Sequence, residues 1–488
     1  MKHPFFNRVC SVTLAMFVVV ALVAGVSTTY AQSSIAEQLD ALLNSSTGQS
    51  AIWGVYIHDI ENDEPLYSYN ADKALTPASN QKVFTTAAAL DILGADHRYH
   101  TYLYFDGEVD GSVLRGDLII RGSGDPTFGS SHFRGNNPLR TWARELADMG
   151  VTRIEGRVVG DDTVFPYAPY ADGWDIAHVI RESFAPPSGG LVYGDNVIRV
   201  HLQATQPGQP PRVRGEPDGY FEIDNRATTS SRGAGRFASI NRRVGQETVT
   251  ITGSVTRNYR GSVRLPVADP TSYTLYNMHV ALERAGVQVD GPLVNVAELP
   301  EPPSYDTLEP LLVHRSPPMS EIVNLINKES NNLYAEQVYR SLGWDGSLEG
   351  ATRRVRTMLT QAGINSRGMT MLDGSGLSRK ALVTPEALGR LLAHMHSHEH
   401  ADVFRESLAR PGEHRSTLQY RLAGTDVRAK TGSLQGVRTL SGYTTAADGR
   451  PLAFVVFANN FAIPAHRIRN LTDSMVMSLT TSSFAEAQ

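Results

Sequence analysis

The chain has 488 residues, too long for one ordinary hydrophobic core, so about two or three domains are expected. Its composition, 41% hydrophobic and 19% charged, is that of a folded protein and excludes a disordered one. The formal charge of -5 is accompanied by no basic tract, which disfavours nucleic acid as a partner.

Taken in chain order, Lys2 and Arg8 precede an apolar run from Val12 to Val26, and Thr29-Tyr30-Ala31 offers a small-residue cleavage site before Gln32. Residues 1–31 therefore read as a secretory signal peptide. A retained anchor is the alternative, but the run is short for a span. Without Lys2 and Arg8 the formal charge becomes about -7. The only cysteine, Cys10, falls in this segment, and Asn7-Arg8-Val9 do not resemble a lipoprotein attachment site. The mature chain then has no disulfide, no thiolate metal site and no cysteine nucleophile.

Ile35, Leu39 and Leu42 recur at helical spacing, predicting an amphipathic helix over residues 34–44. Two strands follow, over 51–60 and 66–70, with a turn at 61–65. Thr76 suits an N-cap and Pro77 the first helical position, which would place Ser79 in the first turn of a buried helix and Lys82 one turn later on the same face. From 99 to 266 short strand-like runs are separated by Gly, Pro and Asp, with one helix near 138–149 and an exposed loop at 206–211. Helical periodicity returns at 273–285 and is strong over 319–342. Three strands, 428–434, 439–445 and 452–459, precede a final helix over 464–479. The simplest assembly pairs the N-terminal hairpin with the C-terminal strands in one antiparallel sheet with helices on both faces, the β-rich middle being inserted into that domain.

Three motifs carry chemistry. Ser79-x-x-Lys82 can provide a nucleophile and the base that takes its proton, provided burial or a cationic neighbour lowers the lysine pKa. In Lys328-Glu329-Ser330-Asn331-Asn332, Ser330 can pass a proton and Asn332 can hold an amide, although S-x-N also occurs at 68–70 and 239–241. Lys430-Thr431-Gly432 is the only K-T-G, on an expected strand, where Lys430 and Thr431 can bind a carboxylate and Gly432 lets a substrate lie close. Each is weak alone. Their order is the signature of penicillin-binding proteins and serine β-lactamases.

With these motifs, Gly122-Ser123-Gly124-Asp125-Pro126, Ala185-Pro186-Pro187, Asp373-Gly374-Ser375-Gly376-Leu377-Ser378 and Leu440-Ser441-Gly442-Tyr443, the chain resembles the D-alanyl-D-alanine carboxypeptidase/endopeptidase family of low-molecular-mass class C penicillin-binding proteins (peptidase family S13). The gap of roughly 250 residues between Ser79 and Ser330 sets it apart from β-lactamases and simpler carboxypeptidases. The resemblance implies a mixed α/β fold: an αβα sandwich with an antiparallel sheet, interrupted by a β-rich two-domain insert. The divisions expected are 32–94 and 267–488 for the peptidase domain, with insert domains at about 95–190 and 191–266.

The resemblance further implies that Ser79 attacks D-Ala-D-Ala termini or D-Ala cross-links of peptidoglycan stem peptides, with Lys82 as base and Ser330 as proton relay. Asn332, Lys430, Thr431, Gly432 and Ser433 would bind substrate, and the backbone N–H groups of Ser79 and Ser433 would form the oxyanion hole. No metal or cofactor is needed. β-Lactams would acylate Ser79, the mature protein would be periplasmic or otherwise extracytoplasmic, and a homodimer is open.

Two positions depart from relatives. An acidic residue often found seven positions before the alanine of Ala185-Pro186-Pro187 is His178 here, with Asp172, Asp175 and Glu182 nearby, and a glycine often found before Thr417-Leu418 is Ser416. Competing readings are a β-lactamase, for which no E-x-x-L-N deacylation loop stands out, and a non-catalytic wall-binding or β-lactam-sensing protein. The run His394-Met395-His396-Ser397-His398-Glu399-His400 could place imidazoles at i, i+4, but H-E-x-x-H is absent and an exposed helix end is the simpler reading.

Overall fold

A computed structural model of the chain describes residues 34–484 apart from 134, 136 and 232–237; the expected signal peptide and Cys10 lie outside the described residues. A five-stranded antiparallel sheet is the centre of the molecule. Its order is Arg428–Leu434, Val437–Thr445, Pro451–Asn459, Ile52–Asp59, Glu64–Tyr69, so the first and last parts of the chain meet as expected. The central strands read as nearly unbroken apolar runs because both faces are covered. Leu452, Phe454, Val456 and Ala458 pack with Trp53, Val55 and Ile57 beneath the helices Ile35–Leu43 and Ala465–Thr481. Ala453, Val455 and Phe457 point the other way, into a larger core with Phe84, Ile322, Val338 and Leu391. The expected αβα sandwich is thus what the chain builds.

The helix Gln81–Leu93 runs through that larger core, and its residues from Gln81 to Leu90 are all buried. The small side chains Ala87, Ala88 and Ala89 let neighbouring helices approach closely on every side. Its beginning differs from expectation. Thr76 does not cap it, because the Thr76 backbone is held by Asn459, whose side chain accepts from the Thr76 N–H at 2.9 Å and donates to the Thr76 carbonyl at 3.2 Å. Ala78 then takes a positive φ of 47°, and a 3-10 turn, Ala78–Asn80, precedes the α-helix. Ser79 therefore sits on this turn rather than in a helical first turn.

The middle of the chain forms a second, seven-stranded sheet containing His100–Asp110 and Val113–Arg121, packed on the helices Pro138–Asp148 and Pro270–Ala285. Each helix begins with a polar N-cap and a proline at its first position, Asn137-Pro138 and Asp269-Pro270. The expected boundary after residue 266 falls inside this assembly. The helix Pro270–Ala285 and the strands Gln288–Val289, Leu293–Asn295 and Pro310–Arg315 all join the insert sheet, because Leu275, Met278 and Leu282 find their apolar partners there. The strands between Val197 and Pro266 form smaller sheets around Ile198, Val200, Leu202, Val249 and Ile251.

The helix Asn332–Ser341 is one of the elements that fasten the insert to the peptidase core. Tyr334, Gln337 and Arg340 recur every three residues on one side of it. The Tyr334 hydroxyl donates to Ser130 at 2.7 Å, and the Gln337 amide bonds the carbonyls of Gly124 and Gly189 at 3.1 and 2.8 Å. Arg340, 1% exposed, donates to the carbonyls of Pro166, Ala168 and Gly346 and to Ser188, and lies over the Phe165 ring. Its guanidinium meets these carbonyls without a carboxylate in contact, and burial pushes its pKa down to about 10. Arg340→Met would leave buried carbonyls without donors and should cost about 2–4 kcal/mol. Urea unfolding followed by circular dichroism checks this.

Candidate active site

The site is assembled where the Ala78–Asn80 turn meets the strand Arg428–Leu434. Asn80 is fully buried and fastens the turn to the next strand. It donates to Thr439 Oγ1 at 2.5 Å and accepts from the Ser441 hydroxyl, while Thr439 Oγ1 donates to the Pro77 carbonyl at 2.8 Å. The turn and the strand are so close that a Cβ on Gly432 would lie 2.0 Å from Thr439 Oγ1 and 3.0 Å from the Ser79 nitrogen. Here glycine is required by contact and not by its backbone angles. Gly376 closes the other side, where φ is +76° and a Cβ would meet the Ala78 carbonyl oxygen at 1.8 Å.

Lys82 and Lys430 are both fully buried. Lys82 Nζ lies 3.1 Å from Ser79 Oγ, 2.6 Å from Asn332 Oδ1 and 2.6 Å from the Ser375 carbonyl oxygen. Lys430 Nζ lies 2.9 Å from Ser330 Oγ and 2.8 Å from the Thr431 carbonyl oxygen. Burial disfavours an ammonium. It pulls the Lys82 pKa from 10.5 to about 7, against the opposing influence of Asp373 and Glu336. Lys430 is driven well below its ordinary value by burial and by the neighbouring Lys82.

Glu336 and Asp373 form a buried acidic pair behind the lysine, and burial raises both carboxyls above their ordinary range. Glu336 Oε1 and both Asp373 oxygens accept hydrogen bonds, mostly from backbone N–H groups. Glu336 Oε1 accepts from Gly374 and Ser375 at 3.1 and 2.7 Å, and Asp373 accepts from Gly376 at 3.0 Å, from Ser378 at 2.8 Å and from the Trp174 indole at 2.9 Å. The loop carrying the Ser375 carbonyl is thereby fixed against Lys82. Ser330 has a positive φ of 61° between the helices Met319–Lys328 and Asn332–Ser341, which turns its hydroxyl toward Lys430.

Ser79, Ser330, Asn332, Thr431 and Ser433 line one cleft of about 520 Å³. Lys82, Lys430 and Gly432 form its floor through the contacts above, so the structure brings every residue singled out by the three motifs to one place. His178 and Arg438 also line the cleft, and among the described residues no carboxylate does. Asn332 donates to the Phe184 carbonyl at 2.6 Å, and the His178 ring meets Phe184 edge-on at 5.1 Å. The acids near His178 in sequence are engaged elsewhere or outside this lining. Asp172 pairs with Lys380 at 2.8 Å, Asp175 caps the helix Ile176–Arg181, and Glu182 ends it.

The histidine run is remote in function from this cleft. The helix Pro385–His396 stops before His398, which bonds Asp91 at 3.3 Å, and no group of three or more metal-ligating side chains occurs among the described residues. Sequence reasoning missed Asn80, Glu336, Asp373 as an electrostatic group, and Thr439. The Asp373 to Ser378 stretch and Ser441 stand out in the sequence only through the family resemblance.

A model of the D-Ala-D-Ala carboxypeptidase 3 (S13) family matches residues 35–482. The chain is 33% identical over 456 residues to a D-alanyl-D-alanine carboxypeptidase of Actinomadura sp. (strain R39), covering 89% of this chain and 82% of that one. It is 26% identical over 422 residues to the D-alanyl-D-alanine carboxypeptidase DacB of Haemophilus influenzae, covering 84% and 85%. The crystal structure of penicillin binding protein 4 (dacB) from Haemophilus influenzae has the same fold, with a TM-score of 0.79 at 24% identity over 91% of this chain and 99% of that one.

Gly432→Ala must displace either the strand or the Ser79 turn, and a shift of about 1 Å at a reacting atom costs on the order of 10²-fold in rate. A fluorophosphonate probe should label Ser79 at least that much more slowly in this variant, with the far-ultraviolet circular dichroism unchanged.

Proposed function

Because this chain belongs to the D-Ala-D-Ala carboxypeptidase 3 (S13) family, it is a serine D,D-peptidase, and we propose that its chemistry is carried by the residues around Ser79. The observation that supports this most directly is the 3.1 Å contact between Ser79 Oγ and a buried lysine whose pKa lies near 7. A neutral amine at that distance can take the hydroxyl proton as the oxygen attacks.

The substrate in this reading is the D-Ala-D-Ala end, or a D-Ala cross-link, of a peptidoglycan stem peptide. Thr431 and Ser433 would receive the terminal carboxylate, with Lys430 beneath them, where an incoming carboxylate would favour the ammonium form that burial alone disfavours. Asn332 would hold the amide of the acylated peptide. Ser79 Oγ would bond to the carbonyl carbon of the penultimate residue while Lys82 Nζ takes its proton, and the backbone N–H groups of Ser79 and Ser433 would stabilise the oxyanion. When the C–N bond breaks, Ser330, hydrogen-bonded to Lys430, would relay to the departing amine the proton that Lys82 took from Ser79, which leaves Lys82 neutral again. Water, deprotonated by Lys82, would then release the acyl group and restore Ser79. A β-lactam would enter the same path through its strained amide. In this reading residues 1–31 would act as a secretory signal, and the mature protein would meet its wall substrate outside the cytoplasm. No helix among the described residues is long and apolar enough to cross a membrane.

Intact-protein mass spectrometry after exposure to penicillin should show one covalent adduct on the mature chain and none on Ser79→Ala. An unmodified wild type would overturn the assignment of Ser79. The sign of the pH dependence follows from Lys82: the free amine is the working form, and it grows as pH rises through about 7. The second-order rate of penicillin acylation should climb tenfold per pH unit below that value and level off above it. In Lys82→Met the rate should fall by about 10²–10⁴-fold and lose this profile, as stopped-flow acylation would measure.

A further inference from the structure

The three-stranded sheet of the insert has a charged outer face that the peptidase chemistry does not use. Val197–Gln203 is its centre, flanked by Arg212–Glu216 and Arg260–Pro266, all antiparallel. Strand alternation sends Ile198, Val200 and Leu202 into the core and Arg199, His201 and Gln203 outward. The register sets Arg199 between Glu216 and Arg264, His201 between Arg214 and Ser262, and Gln203 between Arg212 and Arg260. Five arginines and a histidine therefore share one face with a single carboxylate of these strands, Glu216.

That carboxylate is already engaged, 2.8 Å from His201 Nε2 and 3.8 Å from Arg199 Nε. Asp195, which approaches Arg264 at 3.8 Å, is buried and bonded to Ser130 and Ser131. Arg212, Arg214 and Arg260 are exposed and have no acidic partner within salt-bridge distance among the described residues. Arg199 directly faces Arg264, an arrangement that weakens a sheet. The face is hollowed into a basin of about 950 Å³ lined by His201, Arg212, Arg214, Glu216, Arg260 and Ser262. On a chain of net charge -5 this is a local reversal of sign.

We propose that this face binds the carboxylates of peptidoglycan stem peptides that are not being cleaved, holding the wall polymer while one stem enters the cleft. The inference rests on the peptidase reading, which makes the substrate a polymer bearing a carboxylate on every stem. Guanidinium forks on strands about 4.8 Å apart suit repeated planar anions. The same unit also reaches the cleft: the helix Ile176–Arg181, whose His178 lines it, packs against the strands Ser239–Arg242 and Arg260–Pro266.

The test is co-sedimentation of the full mature protein, its Ser79 first acylated with penicillin, with insoluble peptidoglycan stripped of phosphate polymers. Wild type should pellet in a salt-sensitive manner. The triple variant Arg199→Thr, Arg214→Thr, Arg260→Thr should bind at least tenfold more weakly, while its penicillin adduct and its release of D-alanine from a short soluble peptide stay within twofold of wild type. Amidating the carboxylates of the wall material should abolish binding of the unaltered protein, a check that needs no variant. Equal pelleting of wild type and variant, binding to amidated walls, or binding only to walls that retain phosphate polymers would each overturn the proposal. Failure of wild type to form the penicillin adduct would instead remove the peptidase reading on which it rests.

Discussion

The burial of the Lys82 amine among neutral acceptors is the constraint on which the site depends. An ammonium in direct contact with a carboxylate would stay charged and could not act as a base. Here the three atoms in contact are a hydroxyl oxygen, an amide oxygen and a peptide carbonyl, from Ser79, Asn332 and Ser375. The two acids nearby, Glu336 and Asp373, give their oxygens to the backbone N–H groups of Gly374, Ser375, Gly376 and Ser378 and to Trp174. They moderate the fall in the lysine pKa without bonding to its amine. The loop they pin also delivers the Ser375 carbonyl, so electrostatics and geometry are set by the same hydrogen bonds.

The helix Asn332–Ser341 joins this centre to the remainder of the molecule. Asn332 and Glu336, four residues apart, face Lys82 and its loop, whereas Tyr334, Gln337 and Arg340 face the insert. The same helix buries Leu333, Ala335 and Val338 in the peptidase core, so apolar packing and specific bonds hold it together, and a displacement of the insert would be felt at Asn332. The cleft wall supplied by Phe184 and His178 belongs to the insert as well, and the Asn332 amide donates to it.

The sequence made the outline of this arrangement legible because its signals are local. Apolar, β-branched and aromatic runs bounded by turn residues marked the five strands of the central sheet, and the three short motifs marked residues that converge on one cleft. What it could not reveal depends on partners far along the chain. Thr76 looks like a helix cap until Asn459, 383 residues later, claims its backbone. Asn80 looks like an ordinary polar residue until Ser441 reaches it from a distant strand. The segment after residue 266 reads as a return to the peptidase domain, but Leu275, Met278 and Leu282 are drawn back to the insert by apolar surface that no local pattern announces. The signal in Asp373-Gly374-Ser375-Gly376 was present. Its meaning lay in two buried carboxylates whose partners are backbone groups.

The wide separation of the site's parts along the chain also governs when the enzyme becomes active. Lys82 meets Asn332 and Ser375 across 250 and 293 residues, and Asn80 meets Ser441 across 361. Contacts of such range form late, after the loops between them have closed. Until then Lys82 is in water with the titration of a free lysine, about 10.4, so it stays protonated and Ser79 has no base. A nascent chain thus carries its nucleophile in an inert form, and reactivity appears only when the last strands are laid beside the first.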